Sequence, residues 1–232
     1  MSGYAYAKLP SAWVRKGDAE QEPPYGGLSK LPWQGNKSYA TAALLILFAL
    51  AILSNKAQRK DGLRKDDQVK ATYEEIQEVT NLSRKLISGG LKLLKEIGVI
   101  SEAEDGARSV YRLHGIDEGG KWCQLPQGHL LNNVKHMQRL KLFGEQIKRA
   151  TSLHALKVYM LLLAFREIHS NATRMSYEKI MEYTGMRRED VALAVQVLAT
   201  AQLCRQATDE EIPRRKGDAM HNRYLILGLK AS

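Results

Sequence analysis

TYEEIQEVTNLSRKLISGGLKLLKEIGVISEAED (residues 72–105) and SYEKIMEYTGMRREDVALAVQVLATAQLCRQATD (residues 176–209) are the same length and lie 104 positions apart. Tyr73, Glu74, Ile76, Thr80, Leu94 and Asp105 are identical to Tyr177, Glu178, Ile180, Thr184, Leu198 and Asp209. Each stretch opens on a hydroxyl residue, Thr72 or Ser176, suited to cap a short helix. Glu75 completes a capping box in the first, while Lys179 stands at that position in the second. A turn follows, Asn81-Leu82-Ser83 or Gly185-Met186-Arg187, and leads into a longer helix reaching about Ile97 or Ala201. Ile87, Leu91 and Leu94, and likewise Val191, Val195 and Leu198, have the i, i+4, i+7 spacing of a face turned to a core. A short apolar strand comes next (Val99-Ile100; Leu203-Cys204), then a polar turn and a return strand over residues 109–113 or 223–227.

The repeat extends outward from this block. Leu9-Pro10 and Ser54-Asn55 recur at an offset of 116 as Leu125-Pro126 and Ser170-Asn171. Tyr111 and Gly115 recur at an offset of 113 as Tyr224 and Gly228. Changes of offset confined to connectors are what a duplicated domain shows. A long apolar helix precedes each block, at about residues 38–54 and 153–168. The expected fold is mainly α with small β-hairpins (α+β), in two tandem domains related by internal duplication. The segment KAQRKDGLRKDDQVK (residues 56–70) reads as a basic, flexible insert in the first copy.

A long helix, two helices joined by a tight turn, and a two-stranded hairpin resemble the winged helix-turn-helix domain, over nearly the whole chain. The boundaries follow: residues 1–37 form an N-terminal segment on or near the first domain, and 38–116 the first winged-helix domain. Residues 117–150 are a connector, itself basic, and 151–232 the second winged-helix domain. The resemblance implies double-stranded DNA as partner, with the second helix of each pair in the major groove and the hairpin on the backbone. The tandem arrangement resembles plasmid-type replication initiators and some phage replication proteins. A transcriptional regulator is the alternative within DNA binding, and a winged-helix adaptor for protein interaction is the alternative outside it.

The charges point the same way. Lys and Arg outnumber Asp and Glu by 35 to 25, for a formal net charge of +10 and a pI near 9.5, which favours a polyanionic partner. Removing the core stripe from the first long block leaves Ser83, Arg84, Lys85, Ser88, Gly89, Lys92 and Lys95 facing outward. Lysines there suit phosphates, and Arg84 and Ser88 suit base edges. Gly89 and Gly90 each cost about 1 kcal/mol in a helix interior, so close packing or a close contact is expected at them. Arg108 extends the interface onto the first hairpin. The second copy offers Arg187, Arg188 and Gln196 on its helix, and Arg214, Arg215 and Lys216 at its hairpin tip, with Glu189 and Asp190 intervening.

The apolar run ATAALLILFALAIL (residues 40–53) is shorter than the roughly 20 residues of a membrane span. At the 116 offset, Thr41, Leu50 and Ala51 match Lys157, Arg166 and Glu167, so the second copy reads as amphipathic with its polar positions in water. A helix apolar all round must be covered all round. Cover can come from the N-terminal segment, the second copy or another chain. Leu44, Leu47, Leu50 and Ala51 are expected to form a homodimer face, with residues 1–37 folding back over them as the competing reading. Cys123 and Cys204 have no partner at metal spacing and fit a reducing, cytoplasmic setting. No Walker loop, GxGxxG, HExxH, GxSxG or CxxC occurs, and the histidines lack metal-ligand spacing. Neither an enzyme activity nor a cofactor, metal, small-molecule ligand or membrane partner is expected.

Overall fold

The computed structural model describes residues 6–15, 26–61, 67–105, 108–116, 122–132, 136–213 and 222–229. The first half runs β1 (Ala7–Pro10), α1 (Ala12–Arg15), a 3-10 turn (Gly27–Lys30), α2 (Trp33–Asn36), α3 (Ser38–Asp61), β2 (Gln68–Ala71), α4 (Tyr73–Thr80), α5 (Arg84–Glu96), β3 (Ile100–Asp105) and β4 (Arg108–Leu113). The second runs β5 (Trp122–Leu125), α6 (Gln127–Leu130), a 3-10 turn (Gln138–Leu140), α7 (Lys141–Glu145), α8 (Ala150–Ala164), β6 (Ala172–Met175), α9 (Tyr177–Thr184), α10 (Arg188–Thr200), β7 (Cys204–Gln206) and β8 (Asn222–Ile226). Helix predominates, and the strands form small antiparallel sheets.

The paired helices form for the same local reasons in both halves. Thr72 and Glu75 make the capping box, Glu75 N–H donating to Thr72 Oγ1 (3.2 Å) and Thr72 N–H to Glu75 Oε2 (2.8 Å). Ser176 accepts from Lys179 N–H at 3.2 Å. Each short helix ends on a left-handed residue, Asn81 (φ 57°) or Gly185 (φ 68°), types that tolerate that conformation. The buried hydroxyls of Thr80 and Thr184 fasten the two turns alike. Each donates to the carbonyl four residues back (2.7 and 2.6 Å) and accepts from the amide two residues on (3.3 Å in both).

Three-stranded sheets take the place of the expected two-stranded hairpins: β2–β4–β3 and β6–β8–β7. The pairs Val69↔Tyr111 and Ile100↔Leu113 recur as Thr173↔Tyr224 and Cys204↔Ile226, the offsets of 104 and 113 read from the sequence. The extra strand β2 lies in the insert expected to be flexible. Residues 56–61 continue α3, and residues 68–70 enter β2 with Val69 turned inward. In a segment so rich in cations, the alternation of Val69 and Ala71 was too short a signal to read as a strand.

The two apolar helices lie at the centre. Residues 40–52 of α3 are all buried, covered by α5, α4, β1, β2, α7 and α8. Ser38–Asn55 is long and apolar enough to cross a membrane (mean hydropathy 1.8), yet 83 % of it is buried inside the protein. Phe48 of α3 meets Tyr159 of α8 edge to face, ring centroids 6.0 Å apart. Leu44, Leu47, Leu50 and Ala51 are thus interior, which corrects their assignment to a dimer face. Besides its own half, the N-terminal segment, through β1 and α2, and the second half, through α7 and α8, cover this helix. The expectation that α8 turns polar positions to water is likewise corrected. Lys157 is 3 % exposed, its ammonium donating to the Thr184 carbonyl at 3.3 Å at the end of α9. Arg166 is buried with its guanidinium on Asn171 and Gln124, and Glu167 is half-buried on Arg174.

The repeated Leu-Pro segments find each other. β1 pairs antiparallel with β5, and Lys8 lies opposite Gln124, the residue at its own repeat position. Ala7↔Leu125 then mirrors Leu9↔Cys123, so these two strands are related by a local two-fold axis through the Lys8↔Gln124 pair. Contacts run in both directions between the halves. The 3-10 turn Gly27–Lys30 packs on α9, while α7 packs on α3 and Met137 N–H donates to the Val79 carbonyl of α4 at 3.0 Å. Arg15 of α1 donates to the Ala164 carbonyl at the end of α8, and Asn55 of α3 donates to Gln127 of α6 at 2.7 Å. The N-terminal segment and the connector therefore each touch both halves.

Two expected outcomes follow from this core. Leu50→Glu buries a carboxylate with no partner and unfolds the protein rather than splitting a dimer, as circular dichroism alongside sedimentation would register. Burial pushes the Lys157 ammonium down to about 8 from 10.5. Below pH 8 the folded state therefore holds a poorly solvated charge, and the unfolded chain retains its proton more readily up to about pH 10.5. Lys157→Met should raise stability at pH 7 by up to roughly 3 kcal/mol, and the gain should shrink as pH rises from 8 towards 10.5. Denaturant melts across that range measure it.

Candidate nucleic-acid interface

α5 turns Ile87, Gly90, Leu91 and Leu94 into the core against α3, and leaves Arg84, Lys85, Ser88, Lys92 and Lys95 exposed. Ser83 caps the helix, its hydroxyl accepting from Leu86 N–H at 3.5 Å. Gly89 is half-buried, and the space it leaves belongs to the protein's own packing. A Cβ there would lie 2.3 Å from the Tyr39 ring, and one on Gly90 would lie 2.5 Å from Ile46 Cδ1 and 3.0 Å from the Ala43 backbone nitrogen. The glycines let α5 approach the first turns of α3 closely, which answers the packing-or-contact question in favour of packing.

The cationic face is more balanced than the helix alone implies, because neighbouring elements bring carboxylates to it. Arg84 Nη2 pairs with Glu74 Oε1 from α4. Lys92 lies 3.8 Å from Glu96 one turn on, and Lys95 pairs with Glu102 of β3 at 2.6 Å. Lys85 has no ion pair among the described residues. Glu74 is held below the usual carboxylate range by its own backbone hydrogen bond at the start of α4, with Arg84 adding to the effect. Lys95 holds Glu102 below that range against the opposing effect of burial. Such exposed pairs are worth about 0–1 kcal/mol, so a phosphate can take over the lysines at little cost. Glu74 and Glu102 were absent from the sequence reading of this face, and only the placement of α4 and β3 brings them to it.

The second half presents the same order of elements with a different surface. Arg187 and Arg188 are exposed: Arg187 lies 3.7 Å from Glu189 and 3.3 Å from Asp190, and Arg188 pairs with Glu178. At the 104 offset, Lys85, Ser88, Gly89, Lys92 and Lys95 become Glu189, Ala192, Leu193, Gln196 and Ala199. Leu193 is 45 % exposed, and with Gln196, Val197 and Leu142 it lines a cavity of about 270 Å³ between α10 and α7. His154 of α8 lies 3.5 Å from Asp190, and burial keeps its imidazole pKa below 6.5 against the pull of that carboxylate. Arg214, Arg215 and Lys216 lie outside the described residues, as does the side chain of Arg108, whose backbone starts β4.

Among the described residues, no three His, Cys, Asp or Glu side chains come together as metal ligands. Cys123 and Cys204 are buried, and burial pushes both thiols up to about 12. No protein-family model, curated protein or solved structure matches this chain.

The role of the glycines can be measured directly. Gly90→Ala should lower stability by about 1–3 kcal/mol, because the α3 backbone cannot retreat, outweighing the helix-propensity gain of about 1 kcal/mol. Gly89→Ala should lose less, since half-buried Tyr39 has room to swing. Chemical denaturation of both variants gives the comparison.

Proposed function

We propose that this chain binds double-stranded DNA through two tandem winged helix-turn-helix units related by internal duplication, with α5 as the principal reading helix. The observation that carries the proposal is the face of α5. Arg84, Lys85, Ser88, Lys92 and Lys95 stand exposed on the second of two helices joined by a tight turn, beside a three-stranded sheet, in a chain of net charge +10. In this proposal α5 enters the major groove, the lysines meet phosphates, Arg84 and Ser88 meet base edges, and the β3–β4 hairpin with Arg108 lies on the backbone. The role we assign first is initiation of replication of a plasmid or mobile element in the cytoplasm, and transcriptional regulation second.

In this proposal the two units lie in one chain, so a single polypeptide offers the pair of readers for which many DNA-binding proteins require a homodimer. The adaptor reading is favoured for the second half by one observation. The outward face of α10 has exchanged its lysines for Glu189, Gln196 and Ala199 and exposes Leu193. In the proposal, α10 and the residues 214–216 add non-specific or protein contacts, and α5 sets the sequence read.

Titration of a mixed-sequence duplex against salt tests this. Log affinity should fall linearly with log salt, by about 0.9 for each phosphate neutralised. Lys85→Ala, Lys92→Ala and Lys95→Ala should each flatten the slope by about 1. Absence of duplex binding at low salt would give the adaptor reading the whole protein. Fragments selected from the host replicon then separate the two roles: directly repeated sites near an origin indicate initiation, and a single promoter palindrome indicates regulation.

A further inference from the structure

The outward faces of α5 and α10 differ at Lys85, Ser88, Gly89, Lys92 and Lys95, yet one feature of that surface is the same in both. Arg84, at the start of α5, pairs through Nη2 with Glu74 Oε1 at the start of α4. Arg188, at the start of α10, pairs through Nη1 with Glu178 Oε1 at the start of α9. Both pairs span ten residues, bridge the two helices of their unit, and are well exposed: side chains 68 % and 59 % in the first, 63 % and 51 % in the second.

Stability is a poor reason for a pair of this kind, since exposed ion pairs are worth about 0–1 kcal/mol. General attraction to DNA is a worse one. A carboxylate on a surface facing phosphates repels them, and neutralises an arginine that would otherwise add to the field. What a carboxylate does supply to a guanidinium is direction. Arg is planar, with its donors in a fixed fork, so binding one corner of it orients the others. Glu74 takes Nη2 of Arg84 and leaves Nε and Nη1 without a protein partner among the described residues. The lysines have no such plane to orient. Lys92 pairs within its own helix and Lys95 with the hairpin, neither with α4.

We propose that Glu74 is a positioning residue for recognition: it holds the Arg84 fork in the orientation that meets a base edge, and so sets sequence discrimination rather than affinity or stability. Glu178 stands in the same relation to Arg188. The proposal rests on the DNA-binding reading above, and makes Glu74 a residue whose loss relaxes specificity although it repels the ligand itself.

The test selects bound sequences from a randomised duplex pool for the wild type, Glu74→Ala, Glu74→Gln, Arg84→Ala and the double variant Glu74→Ala/Arg84→Ala. It is combined with affinity and salt slope on one fixed mixed-sequence duplex. Glu74→Ala should lose about ten-fold of the preference at the base position that Arg84→Ala also relaxes, within the range of a bidentate base contact. Affinity for the fixed duplex should stay level or rise, with the salt slope unchanged. Glu74→Gln, which keeps an acceptor for the guanidinium, should retain part of the preference. The double variant should lose no more than Arg84→Ala alone. The melting temperature of Glu74→Ala should stay within about 4 °C of wild type. An unchanged preference in Glu74→Ala, additive losses in the double variant, or a wild type that binds duplex without any preference overturns the proposal and leaves DNA binding standing. A wild type that binds no duplex at low salt overturns the DNA-binding reading itself.

Discussion

Mutual burial of α3 and α8 is the constraint on which the rest of the molecule depends. Neither helix has a face fit for water over its apolar length, and each is covered on one side by its own half and on the other by the partner helix. Phe48 against Tyr159 marks where they meet. A chain that buries two such helices against each other must bring its halves together face to face. The local two-fold pairing of β1 with β5 and the crossing of the Gly27–Lys30 turn and α7 to the opposite half accompany that arrangement. Several polar groups caught in it have specific partners: Lys157 the Thr184 carbonyl, Arg166 Asn171 and Gln124, Arg15 the Ala164 carbonyl. The hydroxyls of Thr41 on α3 and Tyr159 on α8 are buried without a hydrogen-bond partner.

With α3 and α8 at the centre, α5 and α10 pack on their outer sides, and each offers one surface away from the core. That is the geometric origin of the candidate interface. The core side is under the same demand in both halves, and it shows: Ile87, Leu91 and Leu94 face Val191, Val195 and Leu198 as counterparts. The outer side is free of that demand, and there the halves part. α5 has a cationic surface tempered by Glu74, Glu96 and Glu102; α10 has charges of both signs at its start and an uncharged remainder with Leu193 exposed beside a cavity. A common scaffold with divergent outer surfaces is suited to two units with different tasks.

Much of this was legible in residue order. Local structure depends on neighbours in sequence, so the Thr72–Glu75 capping box, the turns that begin at Asn81 and Gly185, and the inward stripe of α5 were all readable. So was the outward placement of Arg84, Lys85, Ser88, Lys92 and Lys95. The offsets of 104 and 113 reappear as strand register in Val69↔Tyr111 and Thr173↔Tyr224, because a repeat that preserves buried positions preserves pairing as well. β2 escaped notice because four residues in a basic segment carry too little alternation. Gly89 was assigned outward by helical phase alone, and phase does not reveal that Tyr39 of another helix occupies the space.

What the sequence by itself determined is everything set within a few residues along the chain or by a repeated pattern: the helices and their caps, the tight turns, the doubled order of elements, and the fact that residues 40–53 need cover on every side. What only the tertiary structure decided is which surface provides that cover, and which charges meet. Leu44, Leu47, Leu50 and Ala51 are as apolar in a dimer face as in a core, and the hydrophobic effect carries no address, so their order could not tell a second chain from the rest of this one. Lys157 was read as solvated because lysine usually is; its burial follows from the arrival of α9, far along the chain, with a carbonyl to receive it. The same holds for Glu74 on Arg84. An ion pair between separate helices depends on how those helices pack, and packing is settled by the whole core rather than by either segment.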